Sequence, residues 1–546
     1  MMFKKSPKII FVSGGVISGL GKGITTASIG LLLKSSGFKV SAMKVDMYLN
    51  IDAGTMNPLE HGEVFVTKDG LETDQDLGHY ERFLDEELRR YNYLTMGQVY
   101  QDVIEKERRL EYQGKCVEGH IHIPEEIINK INTSIEKSGC EIMLIEVGGT
   151  VGEYQNIMFF ETIRRIKQKN PQDIALVHVV YLPIPSFLGE MKSKPAQASI
   201  YELYKLGLQP DFVVCRSEKP LDEKRKRAIS FNTGIPEDHI LAAPDVDTIY
   251  KVPMILKDQK LDIKLLKDLS LKPKKSDLKE WKKLINKVDK IKRSVKIAIA
   301  GKYFTSGSFN LEDSCVCVIE AIKHASWSLG IKPKIKWFNV ENLKEDELAS
   351  FDGIIVPQGW GVRGVEGKIK AVKFARENKI PYLGLCFGMQ MAIIEFARNA
   401  ANLKNANSEE VDPKTPHPVI HIIPNQKEYL QKNQYGGTIR LGNWPCKIRR
   451  GTTLHTIYKK DLIYERHRHR YEFNNKYKNQ LTGLGLIISG TSPDRKLVEA
   501  VELPKSKHPF FIGTQFHPEY KSTPLNPHPI FIEFIKAAYG QTKFRL

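Results

Sequence analysis

Short apolar runs that stop at glycine recur along the first half of the chain. Ile9, Ile10, Phe11 and Val12 form one such run, closed by Gly14 and Gly15. A run this short, apolar at every position and bounded by glycines, predicts a buried parallel strand. Further strands are predicted at 39–43, 142–145, 175–181 and 211–215, with helix-like stretches between them, among them 25–34 and 124–137. Such alternation predicts a mostly parallel sheet covered on both faces. From 271 to 293 the pattern breaks: the stretch is lysine-rich, contains Pro273, and has few large apolar side chains besides Trp281 and scattered leucines. It reads as a connector, partly helical. The strand–glycine–helix pattern restarts at 295–301, and 353–356 and 381–385 supply two more strands. The 546 residues therefore read as α/β, in two domains that each hold a mostly parallel sheet flanked by helices: 1–270, a linker at 271–293, and 294–546.

Composition narrows the class without naming a function. With 41% hydrophobic and 27% charged residues the chain fits globular folding rather than disorder. No run approaches the roughly 18 to 20 apolar residues that span a bilayer. The basic start, Met1 to Lys5, precedes an apolar stretch that lasts only from Ile9 to Val12, too short for a signal-peptide core. The expectation is a cytoplasmic protein with no membrane partner. Cys116, Cys140, Cys215, Cys315, Cys317, Cys386 and Cys446 are odd in number and form no CxxC, which speaks against a disulfide framework or a zinc module. The net charge of +18 admits nucleic acid as a partner. The basic residues are dispersed, however, and their densest stretch is the linker. That favours a lysine-rich surface with pockets for polyphosphates, and no nucleic-acid partner.

The first strand leads into a loop containing Gly14, Gly15, Gly19, Gly21, Lys22 and Gly23, with helix beyond it. Glycines let backbone amides turn toward phosphate oxygens, and the helix start adds a favourable dipole. The loop departs from the usual phosphate-binding pattern: Val16 stands at its first glycine and Gly23 replaces Ser or Thr after the lysine. A plain glycine turn is the alternative; the strand–loop–helix context and Lys22 favour phosphate. Bound nucleotide calls for a metal held by oxygen. Glu72, Asp74 and Asp76 fall within five residues, and Glu146 ends an apolar strand, where a carboxylate faces the ligand crevice of an open α/β sheet. Together they suggest a Mg2+ site.

The second half carries a candidate nucleophile. Cys386 sits at a strand-to-helix corner between Gly384 and Gly388. A thiol near a helix start gains thiolate character, and the amide of Phe387 comes close to any carbonyl the sulfur attacks. An apolar strand at 510–514 runs into His517, Pro518 and Glu519, which supply a base and its orienting carboxylate. The loop of Pro357, Gln358 and Gly359 follows another strand and could offer a second oxyanion donor at the Gly359 amide. On charge alone, the run from Glu465 to Glu472 reads as an exposed or nucleic-acid-facing strand.

The pattern of Gly384, Cys386, Gly388 and Gln390 with a downstream His-Pro-Glu resembles the class I glutamine amidotransferases. The loop from Ser13 to Ile24, Met43 to Asp46, Gly54 to Pro58, His61 to Val66, Glu72 to Phe83 and Ile145 to Gly152 resemble the CTP synthase family, over nearly the whole chain. The resemblance implies an ATP-dependent ligase that aminates UTP to CTP through 4-phosphorylated UTP, with ammonia released from L-glutamine by Cys386, His517 and Glu519. It implies glutamine contacts at Gly359, Phe387, Gly388, Met389, Gln390, Glu410 and Arg470. ATP would meet Ser18, Gly19, Leu20, Gly21, Lys22, Gly23, Lys44, Asp74, Asp245 and Val246, with Asp74 and Glu146 on Mg2+. UTP, or CTP as inhibitor, would meet Ser13, Glu153, Tyr154, Gln155, Lys192, Ser193, Lys194, Pro195, Ala196, Gln197 and Arg227. His61 and Val64 would line an ammonia passage. GTP activation and a homotetramer are implied as well. Four positions depart from the family pattern: Gln358 replaces a glycine, Phe387 a leucine, Arg227 a lysine and Pro244 a lysine.

Overall fold

Strands built from Ile, Val, Leu and Phe without polar interruption bury both faces, and the computed structural model shows where they pair. It describes residues 7–302, 305–306, 309–310, 315–432 and 434–545; the basic start at Met1 to Lys5 lies outside the described residues. The chain folds as two units, Met1–Ile51 with His79–Ile285, and Asp52–Gly78 with Asn286–Leu546.

In the first unit the strands are β1 (Lys8–Gly14), β2 (Val40–Asp46), β3 (Tyr93–Thr95), β4 (Ile142–Val147), β5 (Ile174–Tyr181), β6 (Phe212–Ser217) and β7 (Ile240–Pro244). They form one sheet in the order β3-β2-β4-β1-β5-β6-β7, and every pair is parallel. Helix α1 (Lys22–Ser35) leaves the loop after β1, and α2 (Lys194–Lys205) follows β5. The register sets Lys44 of β2 directly beside Glu146 of β4, so two oppositely charged side chains leave the sheet on the same side. Helix α3 (Lys279–Asp289) falls in the predicted linker. Its Trp281 is buried in the first unit, where the indole Nε1 donates to Tyr250 O at 2.9 Å.

In the second unit the strands are β8 (Ser294–Gly301), β9 (Lys332–Asn339), β10 (Gly353–Val356), β11 (Tyr382–Leu385), β12 (Arg440–Ile448), β13 (Leu462–His469), β14 (Ile487–Thr491), β15 (Val498–Glu502) and β16 (Phe511–Thr514). Their order is β9-β8-β10-β11-β16-β15-β14-β12-β13. The pairs from β9 to β16 are parallel; those from β16 through β15, β14 and β12 to β13 are antiparallel. The α/β class and two-domain organisation stand, and this sheet carries an antiparallel half besides. Helices α4 (Val365–Glu377) and α5 (Phe387–Asn399) cross over between the parallel strands. Successive residues of β10 alternate between two cores, Ile354 and Val356 in one and Ile355 in the other.

A piece of the amino-terminal half belongs to this second unit. Phe65–Val66 and Glu72–Thr73 form a small hairpin. Tyr520 Oη donates to Val64 O at 3.1 Å, and the Phe65 ring meets Tyr520 edge-on at 5.2 Å. Among the described residues no helix is long and apolar enough to cross a membrane.

Candidate functional site

The corner between β11 and α5 is built by glycine. A methyl group on Gly388 would stand 2.0 Å from Val356 O, and one on Gly384 would stand 2.7 Å from the Gly388 carbonyl carbon. Only glycine allows helix and strand to approach this closely. The corner forces Cys386 to φ +51°, a conformation that side chains rarely adopt and that clusters at functional sites. Its amide is held by Thr514 O at 2.7 Å, and Gln515 Nε2 donates to its sulfur at 3.5 Å. Phe387 opens α5, so its amide has no acceptor within the helix.

His517 follows β16, next to β11 in the sheet, and so reaches the same corner. Its Nδ1 is 2.7 Å from Glu519 Oε1. Burial opposes charge on the ring, but the Glu519 carboxylate and Cys386 outweigh it and raise the imidazole to about 10. Its buried Nε2 makes no hydrogen bond among the described residues. Gln358, Gly359, Trp360, Cys386, Glu410, Arg470 and His517 line one narrow pocket. In it, the amide of Gly361 donates to Glu410 Oε1 at 2.7 Å, while burial raises the Glu410 carboxyl. Arg470 Nη2 donates to Thr438 Oγ1 at 2.8 Å. Phe387, Gly388, Met389 and Gln390 form the first turn of α5; Phe387 and Gln390 line the pocket, and Gln390 Nε2 donates to Tyr471 O at 3.0 Å.

The run from Glu465 to Glu472 is not exposed; this corrects the reading from charge. Arg466, His467 and His469 are buried, and Arg468 Nε donates to Glu72 Oε1 at 2.7 Å. Local carboxylates and carbonyls, rather than nucleic acid, occupy these cations: Arg466 Nη1 donates to Val66 O at 3.0 Å. In the same unit Val64 is buried, and His61 Nε2 is 3.7 Å from Asp74 Oδ2.

In the first unit Gly19 and Gly21 turn with φ +71° and +83°, and Val16 takes φ +88° without being glycine. Lys22 Nζ donates to Gly149 O at 2.6 Å, and Ser13 Oγ is 2.9 Å from His178 Nδ1. Ser18 is exposed, Leu20 and Gly23 are buried. Lys44 Nζ donates to Glu146 Oε1 at 2.8 Å, and Tyr80 Oη donates to the other carboxylate oxygen. Of the two expected metal ligands, Asp74 belongs to the second unit and Glu146 to the first. Tyr48 Oη donates to Asp46 Oδ2 at 2.8 Å, and Lys44 is 3.9 Å from Asp46 Oδ1. The carboxylate oxygens of Asp46 and Glu146 suit a hard divalent cation. The remaining residues are open to ligand in differing degree. Tyr154, Gln155 and Lys194 are exposed, as are Arg227 and Asp245; Lys192, Ser193, Pro195 and Val246 are partly so. Ala196 and Gln197 are buried in the first turn of α2, where Gln197 Nε2 donates to Ser193 Oγ at 3.1 Å. Glu153 Oε1 accepts from the Thr150 amide at 3.0 Å.

Residues 8–271 match the family described as CTP synthase N-terminus, and 310–537 match Glutamine amidotransferase class-I. A CTP synthase of Caldanaerobacter subterraneus is 49% identical over 535 residues, covering 97% of this chain and 98% of that one. The chain belongs to the CTP synthase family. A CTP synthase of Carboxydothermus hydrogenoformans is 50% identical over 541 residues, 98% of this chain and 99% of its own.

Within this CTP synthase family member, four side chains at the sites escape sequence reasoning. Arg216, next to last in β6, donates to Asp245 Oδ1 at 2.8 Å and would stand 3.8 Å from a methyl on Gly21. A basic residue at the carboxyl end of a parallel strand was the available signal. Gln515 at the Cys386 sulfur, and the buried Lys302 and Lys368 beside Gly359, gave none.

Proposed function

We propose that the chain makes CTP from UTP, ATP and L-glutamine. The observation that carries this is Cys386 on its glycine-built corner beside the His517–Glu519 pair, in a chain whose other unit holds a glycine-rich loop with Lys22 after its first strand. Glu410 and Arg470 hold the amino and carboxylate groups of glutamine, with Gly359, Phe387, Gly388, Met389 and Gln390 around its side chain. The Cys386 thiolate attacks the amide carbon, and the amides of Phe387 and Gly359 take the oxyanion. His517 protonates the leaving nitrogen as the C–N bond breaks; water then cleaves the thioester to glutamate.

Ammonia passes by way of His61 and Val64. At the second site the γ-phosphoryl group of ATP moves to O4 of UTP; ammonia adds at C4 and phosphate departs. Lys22 and the loop from Ser18 to Gly23 hold the ATP phosphates, Asp245 and Val246 its nucleoside, and Lys44 faces the transferred group. Asp74 and Glu146 would hold Mg2+, which when bound neutralises phosphate charge. Ser13, Glu153 to Gln155, Lys192 to Gln197 and Arg227 hold UTP or, as inhibitor, CTP. GTP activation, a homotetramer and cytoplasmic location complete the reading, supported by family membership; the domain limits 1–270 and 294–546 hold except that Asp52–Gly78 fold with the second unit.

The test is to supply ATP, glutamine and UTP and follow the ultraviolet shift from uracil to cytosine. Cys386→Ala stops glutamine-driven synthesis and spares synthesis from added ammonium. Loss of both in a folded variant refutes the two-site scheme.

A further inference from the structure

Two buried lysines claim five carbonyls of the loop after β10. Lys368, on α4 and 0% exposed, donates from Nζ to Pro357 O at 2.9 Å and Gln358 O at 3.1 Å. Lys302, just beyond β8, donates to Trp360 O, to Gly361 O at 3.3 Å and to Arg363 O at 3.1 Å. In a trans peptide the carbonyl and the following N–H point opposite ways, and no described peptide bond is cis. The Trp360–Gly361 peptide shows the consequence: its carbonyl faces Lys302, and its N–H reaches Glu410 Oε1 at 2.7 Å.

The same rule governs the peptide before it but one. The Gln358 carbonyl faces Lys368, so the Gly359 N–H faces away from that lysine. Gly359 lines the pocket with Cys386, and its N–H donates to no group among the described residues. A methyl on Gly359 would stand 3.0 Å from Lys368 Nζ and 3.2 Å from Lys302 Cε, so the loop rests directly on both. Both ammonium groups also lie over the Phe387 ring, at 5.1 Å for Lys368 and 5.6 Å for Lys302. Phe387 carries the other amide at the nucleophile.

We propose that Lys368 and Lys302 are positioning residues of the glutamine site. Here Lys368 aims the Gly359 amide at the oxyanion, and Lys302 aims the Gly361 amide at Glu410, which holds the substrate. This rests on the reading of Cys386 as a glutamine-cleaving nucleophile. A purely structural pair would affect both half-reactions alike; a positioning pair splits kcat from KM. Burial works against both charges, drawing Lys368 down to about 7 and Lys302 to about 8. Burying charge in this way costs stability.

The experiment uses the full chain with Lys368→Met, Lys302→Met and Lys368→Arg, measuring glutamine hydrolysis and ammonium-driven synthesis. Lys368→Met lowers kcat for hydrolysis on the order of 100-fold with KM within about 3-fold, as loss of one oxyanion donor does. Lys302→Met instead raises KM about 10-fold or more with the smaller effect on kcat. Lys368→Arg recovers part of the rate, and all three keep wild-type synthesis from ammonium. An unchanged kcat in Lys368→Met, equal changes of kcat and KM in both methionine variants, or a parallel loss of ammonium-driven synthesis overturns the proposal. Should Lys368→Met not fold, Lys302→Met decides alone: an unchanged KM overturns it. A wild-type chain that does not hydrolyse glutamine refutes the nucleophile reading instead.

Discussion

His517 Nδ1 stands 2.7 Å from Glu519 Oε1, with Pro518 between the two residues in sequence. The contact fixes which nitrogen carries the shared proton and turns Nε2 toward the thiol. It also makes the imidazole basic. The folded value, about 10, lies above the unfolded one, about 6.5. The stabilisation is therefore full below pH 6.5 and is lost as pH rises through 10. Glu519→Gln should flatten this dependence. Urea unfolding at several pH values above 5.5 should show the wild type's advantage shrinking toward pH 10, and glutamine hydrolysis should fall about 100-fold or more. A constant advantage across that window would count against the ion pair.

Gln358 finds a partner in Glu63: its Nε2 donates to Oε1 at 2.9 Å, while Oε2 accepts from the Cys317 amide at 2.7 Å. The departure from the family's glycine is thus a bond to a charged group. Gln358→Gly should cost about 2 kcal/mol, the usual worth of such a bond. Denaturant midpoints at unchanged slope measure it; no shift would show the contact to be idle.

Val16 sits at φ +88° in the phosphate loop and is over a third exposed. A β-branched side chain there is strained, and Val16→Gly removes the strain at the cost of a floppier unfolded chain. The net expectation is a gain of up to about 1 kcal/mol. Thermal melting without nucleotide tests it, and a lower melting point would mean that the valine packs usefully.

Lys44 and Glu146 form an ion pair at 2.8 Å with side chains 5% and 1% exposed. Lys44→Met should destabilise the first unit by about 3–5 kcal/mol, because a carboxylate stays behind in the interior. Adding Glu146→Gln should restore part of that loss. A double variant no more stable than the single would refute the pairing.

The candidate sites were legible where the residues that compose them are local in sequence. Cys386 lies within two residues of both its glycines, and His517 within two of Glu519, each just past a strand whose apolar run is plain. Lys368 and Lys302 escaped because a lysine in an amphipathic pattern looks like solvent-facing charge; only tertiary packing carries them to one loop. The arginines of 465–472 misled for the same reason, since Glu72, almost 400 positions earlier, supplies the carboxylate at 2.7 Å from Arg468. The antiparallel half of the second sheet escaped too: β12 opens on Arg440 and includes Trp444 and Pro445, which blur an alternating pattern.

The hairpin at 65–73 has a consequence for how such a protein could be dissected or could have arisen. Severing the gene at the linker would hand Tyr520, Arg466 and Arg468 to a carboxyl-terminal fragment without Val64, Phe65, Val66 and Glu72. That fragment would bare an aromatic surface and strand a guanidinium in its interior. Two modules merely tethered end to end would tolerate the cut; a carboxyl-terminal unit that needs residues 52–78 to be complete does not.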